Sequence, residues 1–338
     1  MPQGKPTGNL SITRSEGQQL FPLLLIVCSL TLLSACSDVS KVDSERVDPK
    51  LADSKRSEPK LLESDLSTLQ KQASSQANPV DYRTYDLAQA TVHVVTIDTQ
   101  ADVALSVTVA DELEMVSEIA QQENAIAAIN AGFFDPQNSK TTSHLIFQGE
   151  IVGNPADNAR LTENPSLQSY LPSILDRSEF RRYRCDESGA FSLSEFSYAI
   201  ARHSDATSTG CQLDSAVGAG PQLLPTDTST AEAFTDYENG ELIRDAIGST
   251  QPNARSAIGI ISETQEVVLL MAAQRQGSPG FTLSEMSDFA QTLDVDTLLN
   301  LDGGSSSTLY YAGQTHTARL SAEGNPIERP VKSVLIVK

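Results

Sequence analysis

Residues 20–33 form a mostly apolar stretch, with Phe21, Leu23, Leu24, Leu25, Ile26, Val27, Leu30 and Leu32, preceded by Lys5 and Arg14. The stretch is shorter than the roughly 18 to 20 apolar residues that a membrane-spanning helix needs, and it closes on the small residues Ser34 and Ala35. That order reads as a cleaved secretory signal over 1–35. From Ser37 to about Asn78 the chain alternates Asp, Glu, Lys, Arg, Ser and Gln around Pro49 and Pro59, with too few large apolar residues to bury a core. A flexible tether over 36–80 is the expectation. Beyond it two periodicities take turns. Residues 91–97 and 103–109 are rich in β-branched side chains and flank the turn-like 98–102, which predicts a pair of strands. Leu113, Val116, Ile119 and Ala120 fall at helical spacing within 112–122, and 125–130 then reads as a short buried strand. Residues 144–152, broken at Gly149, predict a hairpin, whereas 168–215 is polar and weakly patterned and reads as strands joined by long loops. A second hairpin is predicted for 256–261 and 266–271. Thr282-Leu283-Ser284-Glu285 has the form of a capping box and opens a helix with Leu283, Met286, Phe289, Ala290 and Leu293 on one face. Strands over 297–301, 308–311 and 332–337 follow. Hairpin-joined strands with two clear helices predict an α+β fold over 81–338: a single domain of mixed, largely antiparallel sheets with flanking helices.

Charge and cysteine content narrow the context. Against 44 acidic residues stand 24 basic ones, a formal charge of −20. Such a surface repels nucleic acid and anionic lipid, so no nucleic-acid partner is expected and an anionic substrate must be met by local groups. Leu33-Ser34-Ala35-Cys36 resembles a lipobox, the pattern whose cysteine becomes the lipidated N-terminus of a bacterial lipoprotein. The resemblance implies lipidation at Cys36, contact with the membrane through that anchor only, and, with Ser37 rather than aspartate next, an outer-membrane location in the cell envelope. Cys28 leaves with the signal and Cys36 carries lipid, so Cys185 and Cys211 remain in an oxidising compartment and are expected to form a disulfide. The alternative, a catalytic thiol, lacks a neighbouring activating group in sequence. Nothing in the pattern sets an oligomeric state.

Two segments repeat one design of helix, buried strand and abrupt polar loop. The first ends in Asn130-Ala131-Gly132-Phe133-Phe134-Asp135-Pro136, the second in Asn300-Leu301-Asp302-Gly303-Gly304-Ser305-Ser306-Ser307-Thr308. Both place carboxylates and amides at strand ends, where ligands collect. In the second, paired glycines and successive N–H groups can form an anion-binding nest, with an ordinary Gly-Gly turn as the alternative. No pair of histidines or cysteines has ligand spacing, so neither a metal nor another cofactor is expected. A serine hydrolase using Ser305, Ser306 or Ser307 would lack the G-x-S-x-G elbow. His144 is a further candidate acid or base, with a structural role as the alternative, and His93 and His203 carry less signal.

The strings N-A-G-F-F-D at 130–135, G-A-G-P-Q-L at 218–223, R-S-A-I-G-I at 255–260 and N-L-D-G-G-S-S-S-T at 300–308, in this order, resemble the phosphodiester glycosidase family, over roughly residues 90–338. Ala131, Ala219 and Ser305 stand where glycine is frequent in that pattern. The resemblance implies a hydrolase that cleaves the glycosidic C1–O bond of a sugar-1-phosphodiester of the N-acetylglucosamine type, with a glycan as partner. A noncatalytic glycan-binding or exopolysaccharide-assembly lipoprotein is the alternative. Breaking C1–O expels a phosphate monoester, a stable anion, so the reaction needs charge stabilisation more than a strong acid. Arg255 is the expected guanidinium for the phosphate, with Gly303, Gly304, Ser305, Ser306 and Ser307 supplying donors. Asp302, and after it Asp135, is the carboxylate expected to activate water or attack the anomeric carbon. Asn130 and Asn300 are expected to orient the sugar, with Gly132, Phe133 and Gly220 shaping its site. Each has a bland alternative: an ion pair for Arg255, a turn for Asp135, a loop cap for Asp302 and a core contact for Phe133.

Overall fold

The strand Glu266–Ala273 is apolar at every position after its first, because both of its faces are covered. Val267, Leu269 and Met271 enter one core, and Val268, Leu270 and Ala272 another. The computed structural model describes residues 78–185 and 196–338. The signal, Cys36 and most of the tether expected above lie outside the described residues.

Three larger sheets organise the domain. The first has six strands in the order Val80–Asp86, Thr91–Asp98, Glu266–Ala273, Arg255–Ile261, Thr297–Asn300, Gln222–Leu224. The second has five, in the order Gln314–Thr317, Thr308–Tyr311, Ala127–Asn130, Val331–Val337, Leu105–Glu114. They stack face to face: Val95, Ile97, Ile258 and Leu299 from the first meet Leu105, Ile129, Leu309, Leu335 and Val337 from the second. The outer face of the first sheet is covered by the helix Leu283–Gln291 through Leu283, Met286, Phe289 and Ala290. The outer face of the second is covered by the helix Val116–Gln122 through Val116, Ile119 and Ala120. The result is four layers, helix, sheet, sheet, helix. A third sheet, ordered Phe196–Arg202, Ser178–Cys185, Cys211–Gly218, Leu145–Phe147, Glu150–Gly153, adds Leu145, Phe180 and Val217 to the central core. Cys185 and Cys211 face each other across this sheet and form the expected disulfide.

The capping box at the second helix is present as expected: the Glu285 N–H donates to Thr282 Oγ1 at 3.1 Å and the Thr282 N–H to Glu285 Oε2 at 2.8 Å. Three expectations are corrected. Every strand pairing among the described residues is antiparallel, so the sheets are not mixed. The strands at 91–98 and 105–114 do not pair with each other but lie in different sheets, the first bonded to Glu266–Ala273 and the second to Val331–Val337. The helix expected from 112 begins at Val116, because residues up to Glu114 stay extended, with Glu114 opposite Val331 across a register shift.

Candidate functional site

Asn130 and Asn300 each end a strand, one in each stacked sheet, and the polypeptide after them is sewn together. The Asp302 N–H donates to the Ala131 carbonyl at 2.9 Å. Asn130 Nδ2 donates to the Asp302 carbonyl at 2.6 Å. Asn130 Oδ1 accepts from Ser256 Oγ at 2.7 Å and from the Thr308 N–H at 3.2 Å. Asn130 is fully buried, its amide is bonded at both ends, and it lies outside the wall of the neighbouring cavity, so it acts as a knot between the sheets where a role in orienting the sugar was expected. Gly132 lies against the third sheet, where a Cβ would come within 2.8 Å of the Gly218 carbonyl oxygen. Only glycine permits that approach.

The knot opens onto a cavity of about 590 Å³, with Phe133, Arg255, Asn300, Asp302, Gly303, Gly304 and Ser305 in its wall. Three sequence-distant stretches therefore converge, the two loops and Arg255, as expected, whereas no residue of 218–223 lines the wall. Gly304 has φ +63°, a conformation that favours glycine, and it turns the chain into the short 3-10 segment Gly304–Ser306. The expected nest is only partly realised. The Gly304 N–H donates to the Ala254 carbonyl, and the Ser306 and Ser307 N–H groups close the turn on Gly303 and Gly304. The Gly303 N–H turns to the Asp302 carboxyl. Ser305 supplies the N–H of this loop that meets no backbone carbonyl among the described residues.

Asp302 is paired with Arg329, whose Nη2 lies 3.2 Å from Oδ2, and the two side chains are 15% and 33% exposed. Burial pushes the Asp302 carboxyl above the ordinary carboxylate range, against the opposing pull of Ser306, Arg329 and the Gly303 N–H. The Arg329 guanidinium also donates from Nε to Ser306 Oγ at 3.1 Å and rests over the Phe134 ring, 4.9 Å from its centroid. Arg319 lines the same wall and donates from Nη1 to Asn253 Oδ1 at 2.6 Å. Asn300 Nδ2 donates to the Gly220 carbonyl at 2.8 Å, which fixes the amide, while its Oδ1 is buried with no protein partner. Gly220 returns the contact by donating its N–H to the Asn300 carbonyl at 2.9 Å, and so positions Asn300 from behind the wall.

Arg255 faces the cavity but its guanidinium is engaged elsewhere. Nε donates to the Phe281 carbonyl and Nη1 to that of Ile247, both at 3.1 Å; Nη2 donates to the carbonyls of Gly248 and Gln251. Burial lowers its pKa to about 10, with Asp245 opposing. Four of five N–H donors hold the segment 247–251 and Phe281 in place, so Arg255 braces the wall where a phosphate grip was expected. Asp135 lies outside the cavity. Burial would raise its carboxyl, but the Gln137 N–H and the Arg160 guanidinium, 2.6 Å away, together hold it below the ordinary range. Its carbonyl accepts from the Asn138 and Ser139 N–H groups, so it closes a turn. Ser306 and Ser307 are fully buried behind the loop. His144 stacks on His203 at 3.4 Å between centroids and bonds the Leu175 carbonyl through Nε2, at the strand ends of the third sheet and outside the cavity wall.

Sequence reasoning missed Arg319, Arg329 and Asn253. The signal for two of them was register. In an antiparallel sheet, residues just before one strand lie beside the loop that leaves its neighbour, and Asn253 and Arg329 stand two residues before the strands beside Asn300 and Asn130.

The cavity is polar and lies at the joint of the two stacked antiparallel sheets, with three arginines and one carboxylate in its wall, in a chain of charge −20. The sequence model of the phosphodiester glycosidases matches residues 123–338, and the chain belongs to that family. Among solved structures, the catalytic domain of zebrafish N-acetylglucosamine-1-phosphodiester alpha-N-acetylglucosaminidase, auto-inhibited by its pro-peptide, is similar in fold. Its TM-score is 0.54 at 16% identity, over 78% of this chain and 84% of that one. A hypothetical protein from Synechocystis superposes with a TM-score of 0.49 at 18% identity, over 76% of this chain; the chain spans 61% of its length. No curated protein matches the sequence.

Proposed function

We propose that the protein is a hydrolase that cleaves the C1–O bond of a sugar-1-phosphodiester of the N-acetylglucosamine type in envelope or extracellular glycans. The observation that carries this reading is the make-up of one wall: Asp302 is the single carboxylate among the described residues lining the cavity, and Arg319 and Arg329 stand in the same wall. An ordinary glycosidase needs a second carboxyl group to protonate its leaving oxygen. A phosphate leaves as a stable anion and needs cations instead, which this wall supplies. In the proposed step Arg329 and Arg319 hold the non-bridging oxygens, with the Ser305 N–H as a further donor. Asp302, as carboxylate, activates water at the anomeric carbon or attacks it. The C1–O pair of electrons leaves with the phosphate, and water supplies the new hydroxyl. Asn300 Oδ1 is an acceptor ready for a sugar hydroxyl or acetamido N–H.

The test is the product of hydrolysis of p-nitrophenyl N-acetylglucosamine phosphodiester. Free N-acetylglucosamine with p-nitrophenyl phosphate is the expected pair; N-acetylglucosamine phosphate with p-nitrophenol would mean cleavage at P–O and sink the mechanism. The envelope setting is part of the proposal and is supported by the sequence at Cys36 alone. Labelled palmitate should enter the wild-type protein and not Cys36→Ser.

A further inference from the structure

The segment 246–251 contributes to two cavities. Ala246 and Ile247 line the cavity described above, and Ser249 and Thr250 line a second pocket of about 450 Å³. The second pocket has a different chemistry. No lysine or arginine lines it among the described residues; its wall carries the ring of Tyr237, the carboxylate of Asp227 and the hydroxyls of Thr230, Thr235, Ser249 and Ser284. Asp227 Oδ1 accepts from the Ser229 N–H and hydroxyl at 2.8 and 2.5 Å, which leaves its second oxygen available. Thr230 and Thr235 lie 3.1 Å apart, oxygen to oxygen, so one hydroxyl donates to the other and the pair keeps a donor in reserve. Ser249 is 9% exposed, and its buried Oγ has no protein partner; a turn about χ1 would bring it to a ligand.

Tyr237 supplies the remaining element. It is 49% exposed and lies opposite the exposed Leu242 on the hairpin of Thr235–Glu238 and Glu241–Asp245. An aromatic face left in water beside converging hydroxyls and a carboxylate suits a ligand that is apolar on its ring face and polar at its rim. A phosphate or uronate would meet Asp227 with no cation to offset it. A pyranose without charge satisfies both halves: its C–H face covers the tyrosine, and its hydroxyls donate to Asp227 and exchange bonds with the threonines and serines.

We infer that this pocket binds an uncharged sugar unit. It receives the remainder of the glycan whose phosphodiester end enters the first cavity, and only this last clause rests on the hydrolase reading. The test is saturation-transfer NMR of the full chain with methyl glycosides of glucose, galactose, mannose and N-acetylglucosamine, each in excess inorganic phosphate to fill the cationic cavity. At least one glycoside is expected to show transfer to its ring protons. Its dissociation constant should rise about fivefold or more in Tyr237→Ala and recover in Tyr237→Trp, in line with loss and return of an aromatic contact. Hydrolysis of the small p-nitrophenyl phosphodiester should be unchanged in both variants. No transfer from any of the four glycosides, or transfer indifferent to Tyr237→Ala, overturns the inference. Should the wild type hydrolyse no phosphodiester while Tyr237-dependent binding persists, the hydrolase reading fails and the sugar site stands.

Discussion

Replacing Arg255 by lysine separates bracing from catalysis. The guanidinium spans carbonyls of Ile247, Gly248, Gln251 and Phe281, and the residue is 2% exposed. Lysine keeps the charge but gathers its three N–H bonds on one atom, so it cannot reach groups spread along the fork of the arginine. Losing two of the four bonds, each to a charged donor and worth about 1.5–3 kcal/mol net, and recovering part of that by relaxation and water, gives a cost of about 3 kcal/mol. That is a large share of the roughly 5–15 kcal/mol that holds a domain folded. Urea denaturation of Arg255→Lys should show the loss directly. Arg255→Met, which removes the buried charge along with its bonds, should also be destabilised. Because the wall would shift while Asp302 and Arg329 stay, kcat of the folded lysine variant should fall by about tenfold, not abolition. If Arg255→Lys unfolds at the wild-type urea concentration while kcat drops by about a thousandfold or more, the guanidinium acts on the substrate and the bracing argument is wrong.

Three further outcomes follow from the same geometry. Asp302→Asn should lower kcat by about a thousandfold or more while leaving the affinity for the phosphodiester within a few fold, measured by initial rates and calorimetry; retained turnover would remove Asp302 from the chemistry. Arg329→Gln removes a charge that pulls the Asp302 carboxyl down against burial, so the acid limb of kcat/KM against pH should move to higher pH, and an unmoved limb would mean that the pair at 3.2 Å is not felt. His93 is held neutral, first by burial and then by His316, with its pKa lowered from 6.5 to about 4 despite Asp86. The unfolded chain takes up the proton first, so this contribution to stability is complete above pH 6.5 and is lost as pH falls from there to about 4. The loss is about 3 kcal/mol, and urea midpoints across that range should flatten in His93→Asn.

Legible in the sequence were strands buried on both faces and the helix Leu283–Gln291, marked by its capping box and one apolar face. Residues 256–261 and 266–271 read as a hairpin because nearly every position is apolar, and the structure pairs Arg255–Ile261 with Glu266–Ala273 in the first sheet. Partner choice was not legible. The strands at 91–98 and 105–114 are neighbours in sequence with a turn-like link, yet their inner faces meet across the core, which fixes them in opposite sheets. Helix and strand were confused over 112–115 because Leu113, packed beside Val116, Ile119 and Ala120, completes a helical stripe while its backbone is still extended. Period alone cannot tell a side chain that joins a helix's contact from one within the helix. At the site, the loops at 130–135 and 300–308 were recognisable as segments. The roles of single residues within them depended on which hydrogen bonds the rest of the fold had already claimed.

That dependence gives a physical rule for sorting the candidates. A buried amide or guanidinium whose bonding capacity is filled by the protein is part of the scaffold, since recruiting it to a ligand would break bonds of equal worth. Asn130, bonded at both ends of its amide, and Arg255, with four of its five N–H groups taken, are of this kind, and the partly buried carboxylate of Asp135 is likewise held by a guanidinium and an N–H group. A polar group in the wall with capacity left over carries a desolvation cost that a ligand can relieve. Asn300 Oδ1 is of this second kind, the Ser305 N–H meets no backbone carbonyl among the described residues, and Arg319, with one bond to Asn253, holds donors in reserve. The asymmetry between Asn130 and Asn300 is the clearest case. The two residues end equivalent strands in the two stacked sheets, but only Asn300 faces the cavity with an acceptor unmet. On the hydrolase reading proposed above, the phosphate and hydroxyls of the substrate complete this hydrogen-bond network, which sets the unmet groups of Asn300 and Ser305 apart from the engaged groups of the scaffold.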